Sequence, residues 1–211
     1  MRATEFVTEM DRRGFLRGLA GAGAMAATGA AQAGLGMKAP TSYNVLSNNP
    51  DKEILLQKTA MKYGLRGVEL AQFLAQTKHE SADFSRMKEI GGAQYFTRRY
   101  DPRHSPDKAR ILGNTHPGDG ARYHGRGYIQ ITGRANYQMA GRALGLPLEQ
   151  QPELAARPDV AAKIAVWYWN TRVKPNVKNF ADTALVTKFI NPALRGLQDR
   201  HANFLDYKNI L

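Results

Sequence analysis

Apolar residues recur at helical spacing in three stretches of this chain. Ile54, Leu55, Thr59, Met61 and Tyr63 outline one face of a short amphipathic helix, and Gly64-Leu65-Arg66-Gly67 supplies a turn before the next. Val68, Leu70, Ala71, Phe73, Leu74 and Thr77 then resume the repeat in a helix that ends at or near His79-Glu80. The third stretch is the most apolar: Val160, Ala161, Ile164, Ala165, Trp167, Tyr168 and Trp169, with Asn170 and Thr171 leading out. Its aromatic cluster sits at helical spacing among Ala and Ile, so it reads as core rather than as a sugar-stacking platform. Between these helices, Gly141 to Leu146 closes a short helix and Pro147 to Pro158 is a turn-rich connection. Tyr123 to Thr132 differs, because Gly125-Arg126-Gly127 followed by Tyr-Ile-Gln-Ile-Thr gives a strand signal rich in hydrogen-bonding side chains. Gly125 and Gly127 there allow close approach of the backbone to a ligand or of the strand to a helix. Gly34 to Pro50 has Gly, Pro, Ser and Asn without periodicity and reads as a linker, so the folded domain is expected to run from Asp51 to Leu211.

Ahead of the linker, Arg12-Arg13-Gly14-Phe15-Leu16-Arg17 leads into a weakly apolar, small-residue run from Gly18 to Ala33. Residues 1–33 resemble a twin-arginine export signal, with Ala31-Gln32-Ala33 as the cleavage site before Gly34. Too much Gly and Ala disfavours a spanning helix, and an N-terminal arm that packs on a partner is the alternative. Export would place the domain in the periplasm or outside the cell, touching the membrane only in transit.

Composition adds bounds. The 211 residues are 43% hydrophobic and 23% charged, which fits one globular domain with an appendage. Absence of cysteine rules out a thiol nucleophile, a disulfide framework and a thiolate metal site. The formal charge is +12, with a pI near 10.0. Residues 1–33 hold four arginines against three acids, so nearly all of that charge belongs to the rest of the chain. A polyanionic partner is implied. No basic run interleaved with aromatics and no zinc-finger spacing occurs, so nucleic acid is not expected. Motifs of metalloproteases, serine hydrolases and phosphate-binding loops are missing as well.

Candidate chemistry lies in Glu80 and Glu89, two acids on either side of a turn, followed by the Tyr123 to Thr132 block. Such a pair can cleave a bond between sugars, one carboxyl protonating the leaving oxygen while the other activates water. Glu80 sits where the negative end of a helix dipole disfavours further negative charge, so it is expected to hold its proton more tightly, as a general acid must. The five histidines are scattered, and only His79 borders this chemistry. Two-carboxylate hydrolysis needs no metal, and neither metal nor cofactor is expected.

His79-Glu80-Ser81 with Phe84 and Glu89, the run from Leu112 to Gly120, Tyr123-His124-Gly125-Arg126-Gly127 and Ile129 to Tyr137 together resemble glycoside hydrolase family 19. The family comprises chitinases and bacteriophage endolysins, and the short spacing of the acids with the Leu-Gly-Asn-Thr insert resembles the endolysin and bacterial branch. The resemblance covers Val68 to Leu211. It implies a mainly α, lysozyme-like, two-lobed helical domain with a small β-hairpin region at Tyr123 to Thr132 and a cleft between the lobes. It also implies that Glu80 is the general acid and Glu89 the general base, and that Thr132 helps hold the attacking water. Gln130, Asn136, Asn191, Tyr123 and Arg126 fall at substrate-binding positions, while His79 and Arg200 support the general acid. The expected act is inverting hydrolysis of β-1,4 bonds in peptidoglycan by a monomer. Chitin oligomers, a lytic transglycosylase reaction and a non-catalytic wall-binding or virion component are the alternatives. A phage product released at lysis or carried in the virion is the alternative localisation. Near the C-terminus, Ile190-Asn191-Pro192-Ala193 departs from the family's Ile-Asn-Gly-Gly loop, and Arg195 or its neighbours stand where chitinases carry another acid.

Overall fold

A computed structural model of the chain describes residues 43–211. The expected export segment and the first part of the expected linker lie outside the described residues. The rest of that linker is fastened down: Asn44 donates to the Ile210 carbonyl at 2.7 Å, and the backbone N–H groups of Leu46 and Ser47 donate to Glu53 at 2.9–3.1 Å.

Helix α1 (Pro50–Lys62) starts with proline, whose missing N–H costs nothing in a first turn. Its Glu53 is fully buried, which is tolerable because the Tyr207 hydroxyl, at 2.7 Å, joins those two N–H donors. Helix α2 (Gly67–Glu80) occupies the centre, and every residue from Leu70 to Thr77 is buried. Its apolar stripe is therefore only part of the buried surface: Gln72 and Gln76 on another face donate to Thr183 and Thr187 at 2.7 and 3.0 Å.

Helices α3 (Ala93–Tyr100), α4 (Pro106–Leu112) and α5 (Asp119–Arg122) follow, and then α6 (Arg134–Leu144), stopped by Gly145 in the left-handed conformation. A 3₁₀ turn at Pro152–Ala156 leads into α7 (Pro158–Tyr168), which continues through a π turn, Trp169–Val173. Helix α8 (Thr183–Lys188) is capped by the Asp182 side chain, and α9 (Leu197–Ile210) lies along α2. Trp167 and Trp169 are 4% and 2% exposed, and Trp169 meets Phe73 edge-on at 5.4 Å, so the aromatic cluster is core.

Two apolar clusters give two lobes. The larger gathers α1, α2, α7 and α9, and the smaller is built on Phe96, Tyr100 and Leu112 with Ala121 packed against it. The expected β-hairpin contracts to two isolated antiparallel bridges, Lys88 to Arg126 and Arg126 to Ile131. Gly127 and Gln130, at φ of 76° and 52°, turn the chain back at once, and Gly133 starts α6 before a ladder can lengthen. Among the described residues, no helix is long and apolar enough to cross a membrane.

Candidate active site

Glu80 is the last residue of α2, and its side chain, 6% exposed, forms an ion pair with Arg200, which is 1% exposed. The same guanidinium donates from Nη1 to Gln76 Oε1 at 2.6 Å and from Nε to the Arg195 carbonyl at 3.0 Å. Packing of α9 on α2 thus delivers a cation to the helix end. Phe73, Ile129, Trp169 and Ile190 close an apolar nook on another side of the carboxyl.

The turn after Glu80 is strained. Ala82, Asp83 and Phe84 take φ of 49°, 59° and 59°, left-handed values that each cost a non-glycine residue about 1 kcal/mol or more. Phe84 offsets this by full burial, edge-on to Tyr128 at 6.0 Å. Asp83 pairs with Lys78 and accepts from the Asn48 N–H at 2.9 Å. Against the burial that alone would raise it, these contacts hold the Asp83 carboxyl below its ordinary pKa.

Glu89, 5% exposed, comes to the smaller lobe. The Tyr100 hydroxyl lies 2.9 and 3.2 Å from its two carboxylate oxygens, and the Gly125 N–H donates to Oε2 at 3.1 Å. A Cβ on Gly125 would fall 3.1 Å from both Glu89 Oε2 and Gln130 Oε1. The close approach expected at this glycine is made by the carboxylate itself. At Gly127 a Cβ would meet the Ala155 carbonyl at 2.8 Å, which is segment-to-helix packing.

Behind Glu89, Gln130 donates to the Gly127 carbonyl at 2.8 Å, Thr132 Oγ1 to the Gln130 carbonyl at 2.9 Å and Asn136 to the Thr132 carbonyl at 2.7 Å. These three expected site residues are therefore brought together in one turn. Asn191, 4% exposed, is placed after α8 by a 2.6 Å bond from its N–H to the Thr187 carbonyl.

Two of the expected substrate-binding residues, Arg126 and Tyr123, are bonded to nearby backbone carbonyls. Arg126 is 7% exposed, and its Nη1 serves the Arg122 and His124 carbonyls at 3.0 and 3.3 Å and the Tyr137 hydroxyl at 2.9 Å. Tyr123 is 1% exposed, packs on Tyr137 and donates to the Glu149 carbonyl at 3.1 Å. It borders a separate groove of about 720 Å³ with Arg122, Arg134 and Glu149. His79 Nδ1 meets Asp199 at 2.5 Å, and its ring fills the space above Gly196 at the start of α9.

Tyr100 and Gln76 carry no motif signal. Gln76 was within reach of spacing arguments, because it lies four residues before Glu80 on one helix face. Tyr100 was not. Among the described residues, no group of three or more His, Cys, Asp or Glu could hold a metal ion.

A mainly helical, two-lobed domain with near-buried carboxyls anchored on both lobes defines a lysozyme-like protein. Within that class, the chain belongs to glycoside hydrolase family 19, whose description is chitinase class I and which matches residues 49–202. A glycosyl hydrolase family 19 domain-containing protein of Haemophilus influenzae is 36% identical over 152 residues, covering 62% of this chain and 74% of that one. An endochitinase of Arabidopsis thaliana is 42% identical over 109 residues, which is 51% of this chain but 34% of the plant protein. This chain thus spans about a third of the length of that relative. Chitinase C from Streptomyces griseus superposes with a TM-score of 0.56 at 26% identity, over 75% of this chain and 68% of that one.

Proposed function

We propose that this chain hydrolyses β-1,4 bonds of an N-acetylated glycan with inversion, and that peptidoglycan is its natural polymer. The observation that carries the reading is the pair of near-buried carboxylates on different lobes, Glu80 held by Arg200 and Glu89 by Tyr100 and Gly125. For turnover Glu80 takes up a proton and gives it to the leaving glycosidic oxygen as the glycosidic bond breaks, and the carboxylate so formed returns to its ion pair with Arg200. Glu89 takes a proton from a water that the Thr132 hydroxyl helps hold, and the oxygen of that water bonds to the anomeric carbon on the opposite face. Amides of Gln130, Asn136 and Asn191 can both donate to and accept from acetamido and hydroxyl groups.

Peptidoglycan is favoured by the charge of +12, which suits an anionic polymer, and by Arg195 in a loop where chitinases carry an acid. The chitin reading draws on the relatives named as endochitinases. Product analysis on purified peptidoglycan and on chitin oligomers side by side tests both. New reducing ends from peptidoglycan, lost with Glu80→Gln, are expected. Cleavage of chitin alone would replace the substrate, an anhydro product would mean a lytic transglycosylase, and inertness on both would leave a wall-binding component. Residues 1–33 are proposed to direct export, which N-terminal sequencing of the secreted protein tests, with Gly34 expected first.

A further inference from the structure

Resting on Glu89 as the base, we propose that Tyr100 is a positioning residue that aims its carboxylate, with Arg99 setting the direction of the Tyr100 hydroxyl. Glu89 lies on an irregular segment, held by backbone bonds from its own N–H to the Gly125 carbonyl at 2.8 Å and from the Gly127 N–H to the Met87 carbonyl at 2.9 Å. Such a segment leaves the side-chain torsions of a glutamate undetermined. Geometry at the carboxylate supplies what the backbone does not: Gly125 donates to Oε2, and Tyr100 reaches both oxygens from the end of α3. Two donors from unconnected segments fix both the position of the carboxylate and its rotation. Each oxygen can accept more than one hydrogen, so Oε1 can take a proton from water while Tyr100 stays in place.

The phenol is itself held. Its ring is 1% exposed in the small-lobe cluster with Phe96 and Leu112, and its backbone carbonyl accepts from Asn114 at 2.9 Å. Arg99 Nε donates to the phenol oxygen at 3.0 Å. A hydroxyl that accepts from a cation turns its own hydrogen away from it, which here means toward Glu89. The Arg99 guanidinium and the Lys108 ammonium each lie 5.5 Å from the ring centroid, and two nearby cations strengthen the phenol as a donor. The apolar packing of α3 therefore sets the aim of a base that belongs to neither α3 nor α2.

Tyr100→Phe in the full chain tests this, because it keeps the ring and removes only the oxygen. Expected are a fall in kcat of about ten- to a hundredfold, as for loss of a hydrogen bond to a charged group, and little change in KM. The acidic limb of the kcat profile should move to higher pH, since the charged form of the base has lost a donor. Arg99→Gln should shift the same limb in the same direction by less, and it keeps the proposal testable should Tyr100→Phe not fold. Wild-type kcat with an unmoved acidic limb in folded Tyr100→Phe, while Glu89→Gln is inactive, would overturn the positioning role alone. An active Glu89→Gln would overturn the assignment of the base, and the positioning role with it.

Discussion

Arg200→Met is the sharpest test of how the larger lobe holds its acid. Methionine keeps the stem that packs between α9 and α2 and deletes a guanidinium that serves three groups: the Glu80 carboxylate, Gln76 Oε1 and the Arg195 carbonyl. Glu80 is 6% exposed, so water replaces the lost partner poorly. Removing one member of a buried ion pair costs about 3–5 kcal/mol. A domain of this size loses about 2–4 °C per kcal/mol, so the Tm should fall by roughly 6–20 °C. Glu80→Gln alone strands the cation instead. The double variant Glu80→Gln with Arg200→Met has no unpaired charge and should recover about 2 kcal/mol or more relative to additivity. Urea denaturation of the four proteins gives the cycle. Loss of under about 1 kcal/mol in Arg200→Met, or additivity of the two substitutions, would refute the claim that this pair organises the junction of α2 and α9.

Gly125→Ala places a methyl 3.1 Å from Glu89 Oε2; kcat should fall by about tenfold or more from misplacement of the base, with the Tm nearly unchanged, and a normal kcat would contradict the site. His124 stacks on Phe96 at 4.3 Å and bonds the Ala121 carbonyl through Nδ1, and burial above all pushes its pKa below the ordinary 6.5. The unfolded chain therefore takes up a proton at this residue before the folded one does, so stability is intact above about pH 6.5 and declines as the pH falls toward the lower folded value. Thermal melts across that range should show the decline in the wild type and a shallower one in His124→Asn; equal slopes would refute it. Binding to anionic wall fragments should weaken as salt rises, since exposed charges attract over about 8 Å at physiological ionic strength, while cleavage of a neutral chitin oligomer should not. Equal salt sensitivity of the two would place the effect inside the site.

Some of this molecule could be read directly along the chain. The repeat from Val68 to Thr77 marks α2 and leaves Glu80 at its end, and the run from Val160 to Trp169 marks a core helix. Helical periodicity is local, because every 3.6 residues the backbone returns a side chain to the same face whatever the rest of the protein does. The blocks around Glu80, Glu89 and Thr132 were equally legible, since the turns that carry them are built from neighbouring residues. The same blocks leave the task of each member undivided, because one short motif carries both groups that reach a ligand and groups that hold the backbone. Which task a side chain has depends on what packs around it, and that is decided elsewhere in the chain. Partners of the acids come from there too. Arg200 lies 120 residues from Glu80, and only the packing of α9 on α2 makes them neighbours. Tyr100 reaches Glu89 because the small-lobe cluster points the end of α3 at it. Sequence by itself marked α1, α2 and α7, and placed Glu80 at the end of α2 and Glu89 beyond the turn that follows. Tertiary structure alone decided what each carboxyl touches, because a hydrogen bond or an ion pair depends on distance in space, and chain spacing constrains that distance only within a few turns.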